Sequence, residues 1–211
     1  MTTETIDLAP GLWLWRTPHP DWQEGVDWDP LVTSTVIESR GEVVVLDGLA
    51  PPPSATEVWR RLDASPPTAA VVVKADHVRD VDLFARWYGA KPYGPYLYWK
   101  GDVPHSELVP VRPGDELPGG LHALYDARWG NETPIWAPDH KTIVFADALT
   151  ERDGELLVWG SPWHERWVLP VLREYLELPF ERVIISHGSP VHDRAAFERA
   201  LELPPFTFEQ L

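Results

Sequence analysis

Four apolar runs in this chain are each stopped at once by a carboxylate or an imidazole. They read Val43-Val44-Val45-Leu46-Asp47-Gly48, Val71-Val72-Val73-Lys74-Ala75-Asp76-His77, Ile143-Val144-Phe145-Ala146-Asp147-Ala148 and Val183-Ile184-Ile185-Ser186-His187-Gly188. Runs this short and this apolar are strand-length, and folds place functional groups on loops held by a rigid sheet. A single Asp after a strand is ordinarily a turn former or a helix cap. Four such strand ends in one chain point to residues gathered at one edge of a sheet.

The surrounding pattern supports that placement. The first third predicts strands over 11–16, 32–37 and 43–46, with Glu38-Ser39-Arg40-Gly41 as a hairpin break, hence an antiparallel opening. A helix is expected over 54–62, with Ser54 as N-cap and Glu57 at capping-box spacing. Residues 69–73 read as a buried strand, and 78–88 as an amphipathic helix with Val81, Phe84, Ala85 and Tyr88 on one face, ended by Gly89. Short strands follow near 107–111, 121–125 and 134–136. Then come a strand at 142–145, a helix at 164–176, a strand at 182–185 and a helix at 194–201. Strands dominating early, with βα units in each half, suit two sheets with helices outside, in one domain over 1–211.

Composition narrows the partners. A formal charge of −15 repels phosphate backbones, so nucleic acid is a poor partner. No apolar run reaches the length of a bilayer crossing, and the start Met-Thr-Thr-Glu-Thr-Ile-Asp lacks the basic and apolar regions of a signal peptide. With no cysteine there is neither a disulfide nor a thiolate ligand, so any metal must be held by His and carboxylate. A cytoplasmic location is the expectation. The 12 tryptophans and 23 prolines are read first as core and loop packing.

From about Gly11 to Val191 the ordered motifs resemble the metallo-β-lactamase superfamily. Asp47-Gly48 resembles the Asp-Gly after its early hairpin, and Asp76-His77 the end of its His-x-His-x-Asp-His turn. Asp147 resembles its lone Asp after a strand, and His187-Gly188 its late His-Gly. The stretch from His77-Val78 to Arg86-Trp87-Tyr88-Gly89-Ala90 resembles the helix after the metal turn and sets the register. The resemblance implies a metallo-β-lactamase-like αββα sandwich of two mixed sheets with helices on the outer faces.

The departures concern one metal position. The two leading histidines of the second motif are missing: their places fall at Val72 and Lys74, or a short deletion has removed one. The third motif should lie within Tyr125–Asn131, which has no histidine, and Arg128 is its expected occupant. The resemblance therefore implies loss of the first metal, leaving Asp76, His77, Asp147 and His187 as ligands for at most one zinc, iron or manganese ion. Asp76 and His77 are then also the candidate catalytic residues. Lys74 and Arg128 put positive charge near the lost position, where they can pair with Asp147 or Asp76 or grip an anionic substrate. Asp80, three residues past His77, is expected to orient that ring. Among the other histidines, His19, His105, His122 and His140 are expected on the surface, with His164 or His192 reaching a pocket rim.

Two functions remain open. One is a single-metal hydrolase of an ester, thioester or lactone-like bond, weakly active if at all. The other is a metal-free descendant, with Asp76 as a helix cap and Asp147 in a closed polar network, that binds a small molecule through Lys74, Arg128 and nearby Trp rings.

Overall fold

The structure, a computed structural model, describes residues 2–26, 28–127 and 132–207. Seven strands form the first sheet in chain order: β1 (Glu4–Ala9), β2 (Leu12–Pro18), β3 (Leu31–Ser39), β4 (Glu42–Leu46), β5 (Ala69–Val71), β6 (Lys91–Gly94) and β7 (Val109–Pro110). The pairs from β1 to β4 are antiparallel and those from β4 to β7 parallel. Two helices cross over between the parallel strands: α1 (Thr56–Ala64) between β4 and β5, and α2 (Val81–Tyr88) between β5 and β6.

The second sheet begins with β8 (Glu116–Leu117), β9 (Leu121–Ala123), β10 (Ile135–Ala137) and β11 (Thr142–Val144). A separate hairpin of β12 (Leu149–Arg152) and β13 (Glu155–Val158) follows, then α3 (Leu169–Glu174), β14 (Arg182–Ile184), β15 (Val191–Asp193) and α4 (Arg194–Ala200). Its strand order is β15-β14-β11-β10-β9-β8, with only β11 and β14 parallel. Both sheets are mixed, as expected.

Alternation along the strands builds four layers. Leu12 and Leu14 of β2, Val44 and Leu46 of β4, and Val71 of β5 meet Leu121, Ile135, Val144 and Ile184 between the sheets. The intervening residues Trp13, Trp15, Val45 and Ala70 face outward onto Val58 and Leu62 of α1 and Val81 and Phe84 of α2. On the opposite side Ile143, Val183 and Ile185 pack against Leu169 and Leu172 of α3 and Phe197 of α4. Period-two strands with both faces apolar need cover on both faces, and the two helix layers supply it.

Several boundaries depart from the sequence expectation. α1 starts at Thr56, with Ala55 at the N-cap and no side-chain cap, so Ser54 forms no capping box; Glu57 instead pairs with Arg60 and Arg61. α2 starts at Val81 and not at residue 78, because Arg79 sits at φ +46, where a right-handed helix cannot run. β5 ends at Val71, two residues early. The expected helix over 164–176 is a π-helical turn, His164–Val168, that runs into α3 and a 3-10 turn over 175–177. Pro170, with no N–H to give, lies in the first turn of α3. β1, β6, β8, β12, β13 and β15 have no counterpart in the sequence expectation.

Candidate functional site

The site begins at the C-terminal ends of β4 and β5. After Val73 the chain turns at once, the His77 N–H donating to the Lys74 carbonyl, so that Lys74, Asp76 and His77 project from one tight turn. Asp47, just past β4 and held at φ +46, anchors that turn: its Oδ1 accepts from the Val73 N–H at 2.7 Å, and its Oδ2 lies 2.8 Å from His77 Nδ1. A carboxylate at that distance needs Nδ1 to donate, which directs His77 Nε2 away from Asp47 as the functional nitrogen. Arg79 braces the turn from behind. Its Nη1 donates to the carbonyls of Thr33 and Asp47.

Asp147 arrives from the second sheet, three residues past β11. The buried Glu132 holds this strand end: its carboxylate accepts from the backbone N–H groups of Ala146, Asp147 and Ala148 at 2.7–2.8 Å. His187 arrives from the end of β14, where Arg16 donates to the Gly188 carbonyl and Glu151 accepts from the Ser189 N–H. One Asp147 oxygen, Oδ2, lies 3.3 Å from His77 Nε2 and 3.0 Å from Lys74 Nζ; the other, Oδ1, lies 3.4 Å from His187 Nε2. The Lys74 ammonium also lies 2.5 Å from both Asp76 oxygens.

Burial opposes charge throughout this cluster, and neighbouring charges overcome it. Desolvation works against the Lys74 ammonium, but Asp147 and Asp76 outweigh it and push Lys74 up to about 12. Desolvation likewise works against protonated His77, yet Asp147 and Asp47 together outweigh both burial and Arg79 and raise it to about 9. Asp147, half-buried and facing His77 and His187, is held well below the usual carboxylate range.

His77, Asp147 and His187 each offer a ligand atom within 4.8 Å of the other two. Two imidazole nitrogens and a carboxylate form a donor set that zinc, iron and manganese accept. The structure adds a mark of fit: Asp147 Oδ1 is buried and accepts no hydrogen bond among the described residues. Asp76 stands apart from that group, its carboxylate taken by Lys74, so the four-ligand set expected from the sequence is three-membered here.

The sequence placed Asp47, Lys74, Asp76, His77, Asp147 and His187 together, and they converge. Arg128 lies outside the described residues. The expectation that Asp80 orients His77 is corrected: Asp80 accepts from the Ala50 N–H at the start of α2, and Asp47 does the orienting. Glu132 and Arg79 went unnoticed, because a buried carboxylate on backbone amides and a buried guanidinium on carbonyls carry no local sequence signature. His19, expected on the surface, lines the pocket, whereas His164 and His192, expected at its rim, do not.

That pocket encloses about 630 Å³ over the cluster. Trp28, Trp99 and Trp159 contribute rings to its wall, and Trp28 packs edge-on against His187 at 5.4 Å. Among the described residues its permanently charged lining is three basic side chains, Lys74, Arg79 and Arg152, against the two carboxylates Asp76 and Asp147.

No protein-family model matches this chain, and no curated protein matches it by sequence. Solved structures do match in fold. TMB-1 superposes with a TM-score of 0.70 at 16% identity, covering 96% of this chain and 97% of its own. A metallo-β-lactamase from Erythrobacter litoralis gives a TM-score of 0.68 at 18% identity, covering 95% of each chain. The metallo-β-lactamase FIM-1 from Pseudomonas aeruginosa, solved in a mono-zinc form, gives 0.64 at 12% identity over 96% of each.

Proposed function

We propose, from the premise that this chain has the metallo-β-lactamase fold, that it is a hydrolase-like protein with at most one metal ion, held by His77, Asp147 and His187. The carrying observation is the convergence of those three donor atoms on the floor of a pocket. When bound, a divalent ion supplies Lewis acidity toward a carbonyl oxygen and toward water. The rest falls to the chain. Asp47 keeps His77 in the tautomer whose Nε2 faces Asp147. Asp76 lines the pocket and is assigned the role of taking a proton from an attacking water, through the lone pairs that the Lys74 ammonium leaves free. The three tryptophans and the basic excess of the lining favour a small anionic molecule with a large apolar part, and an ester, thioester or lactone is the bond class such a site would open.

Turnover should be weak. A single ion, if bound by His77, Asp147 and His187, would have to serve both carbonyl and water, and the chain has no cysteine nucleophile. The test has two parts: metal analysis of protein purified without chelator, then a panel of esters, thioesters and lactones with zinc, manganese or iron supplied and later removed. We expect one equivalent of metal at most, and slow turnover that chelation and His187→Ala both abolish. Robust turnover in the presence of chelator would overturn the proposal.

A metal-free binding module is favoured by one observation. Lys74 and His77 already face Asp147 with positive charge, so the cluster is balanced without an ion. Absence of metal uptake, together with binding of an anionic aromatic probe that quenches tryptophan fluorescence, would decide for it.

A further inference from the structure

We infer that Lys74 is a fixed internal cation occupying the place of an additional divalent ion, so that its ammonium, and no second metal, neutralises Asp76 and Asp147. The Lys74 side chain is only 11% exposed. An ammonium has three N–H groups, and this one meets three oxygens: both of Asp76 at 2.5 Å and Asp147 Oδ2 at 3.0 Å. Its donors are saturated, leaving none for a ligand unless a carboxylate is given up. The stem is also pinned at its root, since the Lys74 backbone bridges to Glu132 and its carbonyl accepts from the His77 N–H.

Two converging carboxylates need a positive charge between them, because like charges otherwise repel and one must take a proton. A lysine supplies that charge without ever leaving, whereas a divalent ion exchanges with solvent. Asp147 is the shared element: Oδ2 serves Lys74 and His77, while Oδ1 faces His187. Lys74 therefore closes one half of the cluster to metal and leaves the His77, Asp147 and His187 half open. This deepens the single-metal proposal above but is tested by a difference between variants, so the two can fail separately.

The experiment counts zinc by atomic emission after loading and dialysis, in wild type, Lys74→Met and Lys74→Arg. Manganese titration followed by electron paramagnetic resonance repeats the count. Lys74→Met, near in shape but neutral, should hold one equivalent more than wild type. Lys74→Arg, which keeps the charge, should hold no more than wild type, and the extra equivalent should disappear in Lys74→Met/Asp76→Asn. Equal counts in wild type and Lys74→Met, or two equivalents in wild type, would overturn the inference. A wild-type count of zero would decide for the metal-free reading of the site, yet a gain of one in Lys74→Met would still support the role of Lys74. Should Lys74→Met fail to fold without metal, refolding with zinc should restore its circular dichroism, and failure to do so with zinc or manganese counts against the inference.

Discussion

At the scale of single residues, His77 sets the behaviour of the cluster with pH. Its folded value of about 9 lies above the ordinary 6.5 of a free imidazole, so protonation favours the folded state. That contribution is complete below about pH 6.5, shrinks as pH rises, and is gone above about pH 9. In metal-free protein the urea midpoint should therefore fall across this window more steeply for wild type than for His77→Gln; parallel curves would refute the coupling. A divalent ion must displace the same proton, so its apparent affinity should climb through the same window, which calorimetry in buffers of differing ionisation enthalpy can read. Glu132 acts on Asp147 through the backbone. Glu132→Gln replaces one carboxylate oxygen with an amide nitrogen that cannot accept, costing about 1.5–3 kcal/mol, the contribution of a hydrogen bond to a charged acceptor. Chemical denaturation measures that loss, and an unchanged midpoint would remove Glu132 from the account.

At the scale of elements, the site depends on how closely α2 lies against the ends of β4 and β5. Gly48 follows Asp47 where Phe84 of α2 packs in: a Cβ there would come 2.5 Å from Phe84 Cε2 and 2.7 Å from Val45 Cγ1. Gly48→Ala should force α2 outward and cost about 1–3 kcal/mol, as overpacked cores do. Because Arg79, which braces Asp47, lies in the loop before α2, the variant should also weaken metal uptake. A melting curve and a zinc titration on the same preparation test both. A stability loss with metal affinity unchanged would show that the helix position and the site are uncoupled.

At the scale of the whole molecule, a chain of net charge −15 keeps a pocket whose charged lining is predominantly basic. The pocket lies between groups from both sheets, so a ligand there ties the two halves of the sandwich together. Zinc at a hundred times its dissociation constant should stabilise the fold by about 2.7 kcal/mol. For a chain of this size that corresponds to a rise of roughly 5–10 °C in melting temperature. Differential scanning calorimetry with and without chelator measures it, with His187→Ala as the control that should show no rise. A shift that persists in His187→Ala would place the ion elsewhere.

The sequence by itself determined the strands that lead to Asp47, Asp76-His77, Asp147 and His187, because continuous apolar runs and their abrupt polar stops are local patterns. It also set the order in which those residues come, and with it the αββα architecture. Tertiary structure alone decided which of them work together. Asp76 turned from the expected ligand set to Lys74, and Asp47 took the orienting role expected of Asp80, because distances across β4, β5 and β11 are not encoded in any one segment. Glu132 and Arg79 became visible only in three dimensions, since what marks them is burial against backbone groups far away in the chain, where a desolvated charge must find its partners.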